Sequence, residues 1–293
     1  MGDAPIVVGY DGSQESQAAA DWAVCEAERR RAPVELLYAG DPPASPSDSE
    51  GQRRLSHLTA AREAELRALR PDIEVTTVHV PRAPVAALES AAGRAAMLVL
   101  GSRGLGALRG FVVGSVSQEV LVRSVCPMVL VRAVEPRSAG VGAAEAPRCG
   151  TSGRDVVVGL DMRHPVEAVL GFAFHAADLR AAPLHVMHAW GHPPGGEYMA
   201  YGTFGAFDED EAAKEGQRLE AALVPWRRRY PQVRLRTTLA RGNASVRLVD
   251  AGADAQLLVV GRHHRRLPIG RLGPVTSAAI HHVGCPVAVV PCD

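Results

Sequence analysis

No sign of charge dominates this chain. Lys+Arg and Asp+Glu number 32 each among 293 residues, so there is no basic field to draw nucleic acid and no acidic tail to draw a basic partner. No apolar run approaches the ~18 residues of a membrane span, and the opening Met1-Gly-Asp-Ala has neither the basic nor the apolar region of a signal peptide. The expectation is a cytoplasmic protein with no membrane or nucleic-acid partner. The five cysteines form no CxxC pair. Cys126 and Cys285 each precede a proline at the start of an apolar strand, and the five cysteines read as buried reduced thiols, with redox sensing by Cys149 in the linker the alternative.

What the chain does have is glycine at telling places. Gly101-Ser-Arg-Gly104 follows the apolar run Met97-Leu-Val-Leu100, and Gly114-Ser115 follows after nine residues, just ahead of a helix-like segment from Val116 to Arg123. Bare amides before a helix N-terminus make a site for phosphate. Gly104 can take a positive φ, Gly114 lets a phosphate approach the backbone, and Ser115 and Ser117 add hydroxyls at the positive end of the helix dipole. Arg103 and Arg109 stand where they could neutralise a polyphosphate or remain free surface cations. Neither the Walker pattern nor the dinucleotide fingerprint is present. At the chain start, Pro5-Ile-Val-Val-Gly-Tyr10 reads as a buried strand ending in Asp11-Gly12-Ser13. An acid at the carboxyl end of a first parallel strand can accept hydrogen bonds from a ribose or base, or simply cap the next helix.

A strand ending in Val-Gly-Tyr-Asp-Gly-Ser, with Gly-x2-Gly-x9-Gly-Ser before the last helix, resembles the ATP-binding branch of the universal stress protein family, and the resemblance runs over nearly the whole chain as two copies. It implies two tandem doubly wound α/β domains of the adenine nucleotide alpha-hydrolase-like kind. Each would have a five-stranded parallel sheet with helices on both faces. It also implies ATP, with or without Mg2+, held by Asp11 and the backbone at Ala39 near the adenosine, and by Gly101, Arg103, Gly104, Gly114, Ser115, Val116 and Ser117 around the phosphates. Adenine enters through the resemblance; the glycines alone support phosphate.

The duplication stands on its own. Asp11 and Asp161, Pro33 and Pro183, and Ala39 and Ala189 are all 150 apart, and the apolar set Ala19, Trp22, Ala23, Ala27 recurs as Val169, Phe172, Ala173, Ala177, the spacing of one buried helix face. The offset grows to 160 at Gly101 and Gly261, so the second copy carries an insertion, placed within Gly191 to Phe207, and it falls to 159 at Cys126 and Cys285. The residue lost lies in the second glycine segment, Gly261-Arg-His-His264 then Gly270-Arg-Leu-Gly273-Pro274-Val-Thr276. There His264 replaces a glycine, and Pro274 replaces Ser115 and removes both an amide and a hydroxyl. The expectation is a competent nucleotide site in the first copy and a weaker, degenerate one at Asp161, Ala189, Gly261, Gly273 and Thr276.

Strands are expected near 5–10, 34–39, 73–80, 96–100 and 128–132, and again near 155–160, 184–189, 233–239, 256–260 and 286–290, separated by helices. The domains run 1–134 and 154–293 with a flexible linker at 135–153. The short last strands of each copy would lie at or near a sheet edge and pair modules, either within the chain or in a homodimer.

Other clusters carry plain readings. His263-His264-Arg265-Arg266 is either a metal or phosphate cluster or a solvated basic loop; adjacent histidines diverge and no acid or cysteine sits at ligand spacing in sequence, which favours the loop. His185 and His188, three apart on a strand, point to opposite faces and cannot share a metal. His281-His282 complements a helix end, and Trp226-Arg-Arg-Arg229-Tyr230 reads as a solvated helix face. No Ser-His-Asp order or nucleophile elbow lies near the glycines. The functional expectation is an ATP-binding stress-response or regulatory module with at most weak ATPase activity. The alternatives are a slow adenine-nucleotide hydrolase and a ligand-free dimerisation scaffold.

Overall fold

The computed structural model describes residues 4–40, 46–104, 111–133, 154–164, 166–190, 205–263 and 272–292. The expected linker 135–153, Cys149, Arg109, His264 and Gly270 lie outside them. The chain divides into two compact units, Met1–Gly150 and Thr151–Asp293, each an α/β layer structure.

The first unit runs β1 (Ile6–Gly9), α1 (Gln14–Arg30), β2 (Val34–Ala39), α2 (Pro46–Leu69), β3 (Val75–Val80), α3 (Pro84–Ala92), β4 (Met97–Gly104), β5 (Phe111–Val112), α4 (Ser115–Arg123) and β6 (Met128–Arg132). Its parallel strands stand in the order β3-β2-β1-β4-β6. Ile6 pairs with Val34 on one side and Met97 on the other. β1 and the first half of β4, Met97–Leu100, read as continuous apolar runs because helices cover both faces. Ile6, Val7, Val8, Leu98 and Val99 are fully buried, each worth about 1.5–3 kcal/mol relative to exposure. In α1, Ala19, Ala23 and Ala27 are buried and Trp22 half-buried, as the helical spacing requires.

The second unit repeats the plan with β7 (Val156–Leu160), α5 (Glu167–Leu179), β8 (Leu184–Trp190), α6 (Gly205–Arg229), β9 (Leu235–Arg241), α7 (Ala244–Gly252), β10 (Leu257–His263), α8 (Pro274–His282) and β11 (Val287–Cys292). Its order is β11-β10-β7-β8-β9. Val169, Ala173 and Ala177 are buried and Phe172 half-buried, matching α1 position for position. The last strand in sequence, β6 or β11, pairs with β4 or β10 of its own unit.

Three local expectations are corrected. Gly101-Ser-Arg-Gly104 is not an open loop. It continues β4: Gly101 and Ser102 pair with Val131 and Arg132 of β6, and β5 folds back to pair Arg103 with Val112 and Gly104 with Phe111, so Gly104 is held in a strand rather than turning the chain. Similarly, β10 extends to His263, carried by its pairing with Cys292. Cys25 on α1 is disulfide-bonded, whereas Cys126, Cys285 and Cys292 are buried thiols outside any disulfide.

Candidate functional site

In each unit the strand order reverses beside the first strand: β1, β2 and β3 succeed one another on one side, and β4 returns to the other. The carboxyl ends of β1 and β4 therefore flank a crevice, the usual ligand position in an open α/β sheet. Asp11 follows β1 there. Gly12 makes the turn with φ +80°, a conformation that favours glycine. Asp11 Oδ1 accepts the Ser13 N–H at 3.0 Å and the Ser13 hydroxyl, while Ser13 itself caps α1 by accepting the Ser16 N–H at 3.2 Å. Desolvation pushes the Asp11 carboxyl up, but the bonds from Ser13 and Ser16 outweigh it and hold it below its ordinary value. Asp11 thus braces the turn through Oδ1 and does not cap α1, the local role read for it from sequence; Ser13 supplies that cap.

Ala39 sits at the end of β2. Tyr10 N–H donates to Leu37 and Gly40 N–H to Val80, so alternation along the strand turns the Ala39 amide toward the β1 side, past the last pair Gly9–Leu37. At the start of α4, Gly114 is the N-cap with no side-chain cap hydrogen bond. The first-turn amides of Ser115, Val116 and Ser117 are those an α-helix leaves without intrahelical partners. A Cβ built on Gly114 meets nothing within 4 Å, so the space above it is open. Gly101 differs: a Cβ there would lie 2.4 Å from the Glu15 carbonyl, so this glycine lets the first turn of α1 approach β4. For Gly101, packing supplies a reason that phosphate contact alone does not.

The second copy shows its crevice as a cavity of about 560 Å³, and all five residues expected there, Asp161, Ala189, Gly261, Gly273 and Thr276, line it. The Thr276 hydroxyl donates to the Gly261 carbonyl at 3.0 Å, tying α8 to β10. Pro274 occupies the first turn of α8 beside the N-cap Gly273, so an amide present at Ser115 is missing here. Arg163 forks onto Asp161, Nε to Oδ1 and Nη2 to Oδ2, both at 2.8 Å. Burial raises the Asp161 carboxyl, and these bonds bring it below its usual value.

One grouping escaped the sequence. Asp161, His164 and His263 each offer a ligand atom, and those atoms lie within 4.8 Å of one another. The two rings stack with centroids 4.0 Å apart. The acid missing around His263 in sequence is supplied by the end of β7, so the solvated-loop reading fails for this histidine. The only available signal was the repeat itself, which aligns His263 with the end of β4 and hence beside the aspartate. The expectation for His185 and His188 agrees with the structure: His185 meets Thr238 at 2.8 Å, while His188 meets the Leu160 carbonyl at 3.1 Å and Glu215 at 2.9 Å.

Two tandem doubly wound α/β units, each with a crevice where strand order reverses, describe a ligand-binding class of fold. The sequence model of the Universal stress protein family matches residues 4–132 and again 153–291, and the chain belongs to that family. It is 30% identical over 301 residues to Universal stress protein Rv2005c of Mycobacterium tuberculosis H37Rv, covering 97% of this chain and 96% of that one. Universal stress protein Rv2623 of the same organism is 30% identical over 302 residues, covering 97% and 95%. Among solved structures, a universal stress protein from Archaeoglobus fulgidus DSM 4304 matches with TM-score 0.69 at 15% identity over 99% of each chain; this likeness speaks to fold. Among the described residues, no helix is long and apolar enough to cross a membrane.

Proposed function

We propose that the chain is a regulatory adenine-nucleotide binder. Its first copy would take ATP at the carboxyl ends of β1 and β4, and its second copy has lost most of that capacity. The observation that carries this is the second-copy cavity, where the five expected positions Asp161, Ala189, Gly261, Gly273 and Thr276 wall one ligand-sized space. In the first copy the same positions keep the groups that Pro274 and the histidines remove.

Asp11 and the Ala39 backbone would meet the adenosine. Gly101, Arg103, Gly104 and Gly114, with the Ser115, Val116 and Ser117 amides, would meet the phosphates at the positive end of α4. Support for this fit comes from the uncapped first turn of α4 and the open face at Gly114. Asp11 is the carboxylate of this set that could share Mg2+ with phosphate oxygens. These groups bind and orient. With Oδ1 of Asp11 engaged by Ser13, the set favours binding over hydrolysis. Nucleotide occupancy would then act by its differential affinity for two states of the module.

Gly114→Glu and Gly273→Glu form a matched test, because a Cβ meets nothing within 4 Å at either position and both variants should fold. Equilibrium dialysis with labelled ATP should give one nucleotide per parent chain, none for Gly114→Glu and one for Gly273→Glu. Two per chain, or undiminished binding by Gly114→Glu, would overturn the assignment.

A further inference from the structure

We propose that the second copy holds a divalent transition-metal ion of the zinc class on Asp161, His164 and His263. Two imidazoles and one carboxylate form a borderline-soft donor set suited to zinc, nickel or copper, and unsuited to magnesium or calcium, which take oxygen ligands. Three protein ligands leave a position for water or a ligand oxygen, the arrangement of an open zinc site.

The geometry is close to what one ion requires. With metal–ligand bonds of ~2.0–2.2 Å, ligand atoms around a tetrahedral ion stand roughly 3.3 Å apart. Here His164 Nε2 lies 3.8 Å from Asp161 Oδ2, and all three ligand atoms fall within 4.8 Å of one another. Rotamer adjustment at the ring of His164, which is exposed, closes most of the difference. The backbones beneath are fixed: Asp161 follows the last residue of β7, and His263 ends β10 in register with Cys292 of β11. All three side chains line the same cavity, so the open position faces a space that can hold a ligand.

The repeat supplies an independent argument. At the established offsets, Asp161 corresponds to Asp11, His164 to Gln14 and His263 to Arg103. The acid is common to both copies, but both histidines belong to the copy whose helix start carries Pro274. The ligand set therefore accompanies the loss of anion-binding groups rather than the fold.

The Arg163 fork on Asp161 is the competitor. The Arg163 side chain is 85% exposed, so it can swing into water without a desolvation cost, and an exposed pair of this kind holds weakly.

The test uses the full chain, stripped of metal and free of nucleotide, titrated with Zn2+ against a chromophoric chelator and with Co2+ read by its visible absorption. One ion per chain with a Kd below about 1 μM is expected, and Co2+ should show the intense bands of a four- or five-coordinate site. His164→Ala and His263→Ala should each weaken Zn2+ at least tenfold, since even outer-shell partners of metal ligands cost ~10–100-fold. Arg163→Ala should bind as tightly as the parent or more tightly, and Gln14→Ala in the first copy should change nothing. Absence of one-to-one binding, or unchanged affinity in both histidine variants with their folds confirmed by circular dichroism, would overturn the site. The inference is independent of ATP: His263→Ala should keep the parent's nucleotide stoichiometry, so a failed nucleotide reading leaves this result intact.

Discussion

Gly101 and Gly114 occupy one sequence motif yet should respond in opposite ways to the same added methyl. At Gly101 an ideal Cβ lies 2.4 Å from the carbonyl carbon and oxygen of Glu15 and 2.7 Å from its Cβ. The atoms struck are mostly backbone in the first turn of α1, so relief requires moving that helix off β4. Overpacking costs ~1–3 kcal/mol, and backbone contact puts Gly101→Ala near the top, at about 3 kcal/mol. For a unit of about 150 residues, each kcal/mol lowers Tm by about 2–4 °C, giving a fall of roughly 6–12 °C. At Gly114 the backbone is extended with φ −59° and ψ 155°, and the Cβ meets open space. Gly114→Ala loses some unfolded-state entropy, worth about 0.4–1 kcal/mol in its favour, while alanine is a poorer N-cap by a similar amount. The net change should stay within about 0.5 kcal/mol. Differential scanning calorimetry of nucleotide-free protein reads both variants, following the transition of the first unit. A Gly101→Ala protein melting within about 2 °C of the parent would refute the packing account. So would an equal loss in Gly114→Ala.

Two further outcomes concern the second unit. Desolvation, reinforced by Arg236 and opposed by Asp155, holds the His185 imidazole below its ordinary pKa. The unfolded chain then binds the extra proton first, so this residue's contribution to stability is full above about pH 6.5 and declines as pH falls below it. His185→Gln should flatten the slope of unfolding free energy between about pH 7 and 5.5 in urea titrations, and identical slopes would dismiss the effect. Glu215→Ala should destabilise the unit by about 1–3 kcal/mol, because it strips the 2.9 Å partner from the buried His188 Nε2; a loss under about 0.5 kcal/mol in chemical denaturation would contradict it.

The parts legible in sequence were those governed by burial along one segment. Val7 and Val8, or Leu98 and Val99, are covered on both faces, so their strands read as plain apolar runs. The face shared by Ala19, Ala23 and Ala27 likewise reads from helical spacing. What escaped depended on partners distant in the chain. Glycine and arginine at Gly101–Gly104 suggest a loop, and pairing with Val131–Arg132 and with the returning Phe111–Val112 makes them strand. His263 reads as surface until the sheet sets it beside Asp161, roughly a hundred residues earlier. The basic run before Tyr230 hid an i, i+4 aromatic pair: Trp226 and Tyr230 stack against buried Phe174 at 5.9 and 5.8 Å, and Arg229 lies over both rings. Only part of that segment is a solvated face.

On the two proposals, the crevices of the copies would serve different ligands within one fold. The walls are set by strands and by ties such as the Thr276 hydroxyl on the Gly261 carbonyl, which do not involve the residues at the mouth. Pro274 can replace a serine there because proline suits the first turn of a helix, and histidines can stand at 164 and 263 because both side chains line the cavity rather than the core. Changes at the mouth therefore alter ligand chemistry at little cost to packing. An uncapped helix start with its amides intact suits an anion, whereas a proline at that start with two imidazoles beside an acid suits a cation. On the proposals above, duplication allowed the second cavity to move from phosphate toward metal while the first kept its nucleotide, and a core that keeps its apolar pattern at Ala19, Ala23 and Ala27 and again at Val169, Ala173 and Ala177 is what made that divergence possible.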